Sequence, residues 1–190
     1  MPTQNLYPNA AGDLTQFPTV EPSSINHFQA VDETSADDDT TYIQSGADEL
    51  SDGFFIVIKE NSTITEVQKG NSTSYVTYTH EFTTKPSDSS AFTVTDINNL
   101  QIGVNFTGPD NPTDQTDLFN IQDWPNNSGD TINSITVTAR YKNSGFSSIV
   151  SMRCTQVFVT VDYTEASIIP VKLNLTSGKV KITSGKLKIG

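Results

Sequence analysis

Apolar and polar side chains alternate with a period of two along several stretches of this chain, which is the signature of half-buried strands. The strongest runs from Thr155 to Tyr163, with Val157, Val159, Val161 and Tyr163 on one face and Phe158, Thr160 and Asp162 on the other. Thr131–Tyr141 places Ile135, Val137, Ala139 and Tyr141 together, and Ser74–Thr83 groups Val76, Tyr78, His80 and Phe82. Phe54–Ile58 is a continuous apolar run, which suits a strand buried on both faces. Shorter strands are expected at Ser24–Val31 (apolar at Ile25, Phe28 and Val31), Thr40–Gln44, Thr63–Val67 and Leu118–Trp124, the last ended by Pro125 and the turn Asn126–Asp130. The one helix expected is short, Thr95–Gly103, with Thr95 as N-cap and Gly103 as its stop. Asp32–Asp39, Gly46–Gly53 and Asn105–Thr116 read as loops. Residues 1–24 hold four prolines and no period, and are expected to form an extended arm, disordered or laid across a neighbouring subunit.

Many short strands separated by turn signals predict an all-β fold: an antiparallel β-sandwich of jelly-roll type. The expected organisation is an N-terminal arm (1–24), a sandwich body (25–166) and a tail (167–190). Abundant Ser, Thr and Asn support strands and turns over helices. The formal charge of −11 over 190 residues argues against general nucleic-acid binding, which needs a basic face. Cys154 is the only cysteine, so no intramolecular disulfide forms. No apolar stretch is long enough to span a bilayer, and no membrane partner is expected. The start, Met1–Tyr7, lacks signal-peptide features, so synthesis in a host cytoplasm is expected. Asn-x-Ser/Thr triplets at Asn61, Asn71, Asn105, Asn126 and Asn174 follow from composition.

Charge is divided unevenly. Residues 171–190 carry five lysines and no acid, while the other 170 residues carry six basic and 22 acidic side chains, a formal charge of −16. Within the tail, Thr176–Ile182 is followed at once by its near copy Thr183–Ile189. Lys179 and Lys181 alternate with Val180 and Ile182, and Lys186 and Lys188 with Leu187 and Ile189. On a strand, lysines fill one face and aliphatics the other, with Ser-Gly supplying the turn. An isolated ribbon of this kind cannot bury its aliphatic face. The expected role is assembly: a trimeric bundle of such ribbons, or addition to a neighbour's sheet edge, with the lysine face against an acidic body. The alternatives are a disordered basic tail and a tail that binds an anionic surface.

Several segments resemble the structural proteins of tailed-phage and phage-like virions. They are Asn26–Glu33, Asp37–Ile43, Phe92–Val104, Ile132–Arg140 and Arg153–Tyr163, and together they span roughly residues 5–165. The resemblance implies a β-sandwich at a virion surface or tail, without catalytic residues. The order of segments departs from that family, in which the Leu118–Tyr141 type of segment follows the Tyr42 strand and the Phe54–Val104 type comes later. The expected function is therefore a non-enzymatic virion protein (capsid decoration, head or tail fibre, or adaptor) that forms a homo-oligomer and packs on capsid or tail subunits. A carbohydrate-binding module for host attachment is the alternative.

Candidate chemistry is sparse. The two histidines, His27 and His80, stand in no Gly-x-Ser-x-Gly or His-Glu-x-x-His spacing. Arg153 beside Cys154 would favour a thiolate, but neighbours on a strand face opposite ways, so a buried structural cysteine is favoured. Asp37, Asp38 and Asp39, with Asp48, Glu49 and Asp52 nearby, form a candidate calcium site, because hard cations prefer clustered carboxylates. The simpler role for those aspartates is capping backbone amides in a turn. Trp124, with Tyr75, Tyr78 and Tyr141, is a candidate sugar-stacking platform, weighed against ordinary packing.

Overall fold

A computed structural model describes residues 1–49, 53–107, 115–126, 129–143 and 149–167. The tail assembly residues Lys179, Val180, Lys181, Ile182, Lys186, Leu187, Lys188 and Ile189, and Asp52, lie outside this set. The strands are β1 (Thr3–Leu6), β2 (Pro8–Thr15), β3 (Thr19–Glu21), β4 (Tyr42–Gln44), β5 (Asp48–Glu49), β6 (Gly53–Glu60), β7 (Thr63–Lys69), β8 (Val76–Phe82), β9 (Gln101–Thr107), β10 (Gln115–Ile121), β11 (Thr131–Asn143), β12 (Ile149–Val150) and β13 (Met152–Thr164). A 3-10 turn, His27–Ala30, precedes β4, and one short helix, α1 (Val94–Asn98), precedes β9. No helix among these residues is long and apolar enough to cross a membrane.

The chain is an antiparallel β-sandwich, as its alternation predicts. One sheet runs β3-β4-β13-β11-β8, with β1 also paired to β13. The second runs β2-β10-β9-β6-β7, and β5 pairs with β12 as a small separate ladder. The faces read from the sequence are the faces observed. Val157, Val159, Val161 and Tyr163 on β13, and Ile135, Val137, Ala139 and Tyr141 on β11, are buried, while Phe158, Thr160 and Asp162 turn outward and are partly exposed. Opposite them, Phe54, Ile56 and Ile58 of β6 and Ile102, Val104 and Phe106 of β9 complete the core. Burying a Val, Ile or Phe side chain contributes about 1.5–3 kcal/mol, so these four strands hold the sheets together. Val57 is also fully buried, on the outer face of β6, in line with the continuous apolar run.

Three local expectations are revised. Residues 1–24 are extended, but they lie on this chain's own body: β1 pairs with β13 from Thr3↔Asp162 to Leu6↔Val159, and β2 pairs with β10. The stretch Ser24–Val31 is not a strand. Its apolar residues Ile25, Phe28 and Val31 recur every three positions, the period of a 3-10 turn. Asn26 begins that turn, its N–H donating to Gln29 Oε1 at 2.9 Å. The helix is capped two residues before the expected Thr95, because Thr93 and Asp96 form a capping box: Asp96 N–H donates to Thr93 Oγ1 (3.2 Å), and Thr93 N–H to Asp96 Oδ2 (2.8 Å). It ends at Asn98, and Gly103 is an interior residue of β9.

Gly103 is required by close packing. It sits in register between Val57 and Leu118, and a Cβ there would meet the Asp117 carbonyl oxygen at 1.8 Å. The contact is with backbone, so no side chain can swing aside. Gly103→Ala is expected to destabilise the fold by about 2–3 kcal/mol, the upper range for overpacking. Denaturant titration checks this through a lowered midpoint at unchanged slope, and an unchanged midpoint would refute it.

Candidate functional site

Among the described residues, the outward face of the β13-β11-β8 sheet carries the densest charged cluster. Arg140 and Lys142 are on β11 at the parity opposite to its buried residues, and Arg153 is on β13 beyond a register shift (Arg140↔Gln156, then Tyr141↔Cys154) that turns it outward although it shares the odd numbering of Val157 and Val159. Three of the six basic residues outside the tail thus share one face. The acidic loop that precedes β4 folds over them. Asp38, in the left-handed region at φ 56°, accepts both Arg140 Nε (2.6 Å) and Nη2 (2.9 Å). Asp39 accepts Lys142 Nζ at 2.8 Å through each oxygen and Arg153 Nη1 at 2.7 Å. Arg153 also donates to Gln44 Oε1 from Nε (3.0 Å) and Nη2 (2.9 Å).

Two tyrosines floor the cluster. Lys142 Nζ lies 4.4 Å from the Tyr75 ring centroid, and the Arg153 guanidinium 4.1 Å from that of Tyr42, both within cation–π range. The Tyr75 hydroxyl lies 3.2 Å from Asp39 Oδ1. Burial first, and the Asp39 charge second, push that hydroxyl above its ordinary value. Hydrogen bonds from Lys142, then Arg153, hold Asp39 down at about 2 from an ordinary 3.8.

The candidate calcium ligands therefore diverge. Asp37 turns toward Thr41, accepting its N–H (3.1 Å) and lying 2.9 Å from its hydroxyl; Asp38 serves Arg140; Asp39 serves Lys142 and Arg153. Among the described residues no group of three or more His, Cys, Asp or Glu side chains is gathered as a metal ion requires. Cations of the chain itself occupy the place that calcium was expected to take for Asp38 and Asp39. Only Asp37 caps a backbone amide.

Trp124 is not an exposed platform. It is 6% exposed, its ring meets Tyr163 edge-on at 4.8 Å, and Nε1–H donates to Asp130 Oδ2 at 3.2 Å. Tyr141 is fully buried and stacks on Tyr78 at 4.5 Å. Trp124, Tyr78 and Tyr141 thus pack within the sandwich, while Tyr75 lies under Lys142 on the outer face, so the four rings do not form one platform.

Cys154 is buried, and burial pushes its thiol up to about 12, so it is no thiolate nucleophile. Arg153 faces the opposite way, toward Asp39. His80, on the inward face of β8, meets Phe82 edge-on at 4.6 Å. Burial, then the Lys69 charge, lower its pKa.

The pair His27–Asp117 is absent from the candidates read from the sequence. Asp117 is fully buried on β10, and its Oδ2 lies 2.5 Å from His27 Nδ1. Its Oδ1 accepts the N–H groups of Gln16 (2.6 Å) and Phe17 (2.9 Å). One carboxylate thereby fastens the segment after β2 and the 3-10 turn to the second sheet. The available signal is an acid directly before the strand expected from Leu118; β10 starts earlier, at Gln115, and takes Asp117 into the sheet.

No family model, no curated protein and no solved structure matches this chain.

The cluster as a whole is a lock that pins an acidic loop to a sheet, and its charge state sets its acid response. Asp39 has a folded value below its unfolded one, so its contribution to stability is present above 3.8 and is lost as pH falls toward 2. Asp39→Asn should lower the melting temperature at neutral pH and flatten its fall between those two values. Thermal melts of both proteins across the acid range decide it; parallel curves would refute the lock.

Proposed function

We propose that this chain is a non-enzymatic structural subunit of a virion: a capsid decoration, head or tail fibre, or adaptor protein that associates with its own copies and packs on capsid or tail subunits. The observation that carries this reading is the join between a strongly acidic β-sandwich and a basic tandem heptapeptide. The body's formal charge is −16, and the five tail lysines are the complement it lacks. A ribbon with aliphatics on one face needs a second surface to bury them. Supplying that surface from another subunit is assembly chemistry. The resemblance to virion proteins adds support: its Ile132–Arg140 and Arg153–Tyr163 segments lie in β11 and β13, the paired central strands of one sheet, and its Asp37–Ile43 segment carries the locked acidic loop.

The test is removal of the tail. A protein ending at residue 170 should keep its strand signature by circular dichroism. Its mass by size-exclusion with light scattering should fall from that of an oligomer, a trimer in the favoured arrangement, to that of one chain. An unchanged mass would remove the assembly role. Antibody labelling of purified particles checks the virion assignment separately.

A further inference from the structure

Among the described residues, the two long flanks of the sandwich are covered unequally. On one, the N-terminal segment and the 3-10 turn close the core, with Phe17, Ala30 and Val31 all buried. The other is bounded by the edge strands β7 and β8, which adjoin: Lys69 Nζ lies 3.5 Å from His80 Nδ1. One strand inward, β6 and β11 bury their core-facing side chains completely. On the edges themselves Val67, Val76, Tyr78 and His80 also face the core, yet they are only half-buried. Among the described strands, β7 pairs with β6 alone and β8 with β11 alone. Neither edge contains a proline or a break in register, the devices that commonly protect sheet edges. Only Lys69, at the end of β7, turns a charge inward.

We infer that this flank receives residues 176–189 of a second copy, one heptapeptide adding to β7 and the other to β8. The inference rests on the assembly role proposed above. Each edge strand is seven residues long, and so is each repeat. Ser184-Gly185 lies between the two alternating blocks and supplies the crossing from one sheet edge to the other. With Val180, Ile182, Leu187 and Ile189 turned inward, the added strands extend the core over Val67 and Tyr78. The lysines then face outward, on the side where Glu66 and Glu81 stand exposed. Main-chain pairing supplies affinity, and the alternating side chains supply register.

Eleven residues separate Thr164, the end of β13, from the repeat. Extended, they span roughly 40 Å, enough to reach a neighbouring body. Each chain has one such flank and one such tail, so every copy can donate once and receive once: reciprocally within a two-fold pair, or head-to-tail in a ring where the rotation between copies closes.

Two experiments on the full chain test this. In the first, Ser184→Cys carries a spin label. Cys154, with its buried thiol, is the only other cysteine and is protected from labelling. The labelled chain is combined in mixed oligomers with isotope-labelled chain bearing no spin label, so amide broadening reports contact between copies. Selective loss of intensity at Thr63–Lys69 and Val76–Phe82 is expected. Broadening centred elsewhere, or none, overturns the site. Broadening of these strands only when both labels share one chain overturns donation between copies.

In the second, Val67→Lys and Val76→Lys together place inward charges on both edges at half-buried positions, with folding checked by circular dichroism. The oligomer should dissociate to the mass that tail removal produces. If the folded double variant keeps its oligomeric mass while tail removal abolishes it, the flank is not the dock and the assembly role stands. If tail removal also leaves the mass unchanged, both readings fall.

Discussion

The antiparallel ladder between β11 and β13 is the constraint on which the rest of the molecule depends. It pairs Thr131↔Thr164 at one end and Asn143↔Met152 at the other. Because side chains alternate, one ladder builds two unlike surfaces. Its inner face supplies Val137, Val159 and Val161 to the core, and its outer face carries Arg140, Lys142 and Arg153. A slip of one residue would bury the cations and expose the valines, so the inner face fixes where the outer charges stand. The acidic loop at Asp38 and Asp39 docks on those cations, which the ladder holds at their spacing. The ladder also accepts β1 and β4 on the free side of β13 and β8 on the free side of β11.

Closure of one flank follows a different principle. Asp117 is a fully buried carboxylate, and removing a charge from water is costly unless its oxygens are satisfied. The two N–H groups of Gln16 and Phe17 and the ring nitrogen of His27 satisfy it. The requirement runs both ways, since those backbone donors also need an acceptor once Phe17 is buried. This polar centre adds to the ladders of β1 with β13 and β2 with β10, and together they make residues 1–24 part of the body.

Legibility in the sequence followed interaction range. Strand faces of β8, β11 and β13 were readable, because period-two alternation is local and one face is buried. Cys154 is inside only because a register shift at Thr155 and Gln156 breaks the alternation of β13, and that shift has no local mark in the sequence. The 3-10 turn was misread as a strand although Ile25, Phe28 and Val31 already showed spacing by three. The helix start was displaced by two residues, because the Thr93–Asp96 box competes with Thr95 as a cap. What could not be read were pairings distant along the chain. Asp38 and Arg140 are 102 positions apart, and His27 and Asp117 are 90 apart. Nothing local marks such partners, so three consecutive aspartates resemble a calcium loop, and Trp124 resembles an exposed platform although Tyr163 and Asp130 lie against it.

The proposed assembly has a distinctive balance of forces. Bodies of formal charge −16 repel one another, and five lysines per tail offset only part of that charge. At physiological salt, exposed charges farther apart than about 8 Å are largely screened, so both the repulsion and the lysine attraction act near contact. Aliphatic burial does not weaken with screening. A tail held by charge alone would release as salt rises. A tail held by strand addition loses some lysine attraction, but it also loses body repulsion, and its apolar and main-chain contacts persist. Weak salt dependence is therefore the mark of the strand-donation mechanism, and the lysines act mainly to set the register and orientation of a contact whose strength lies in its aliphatic face.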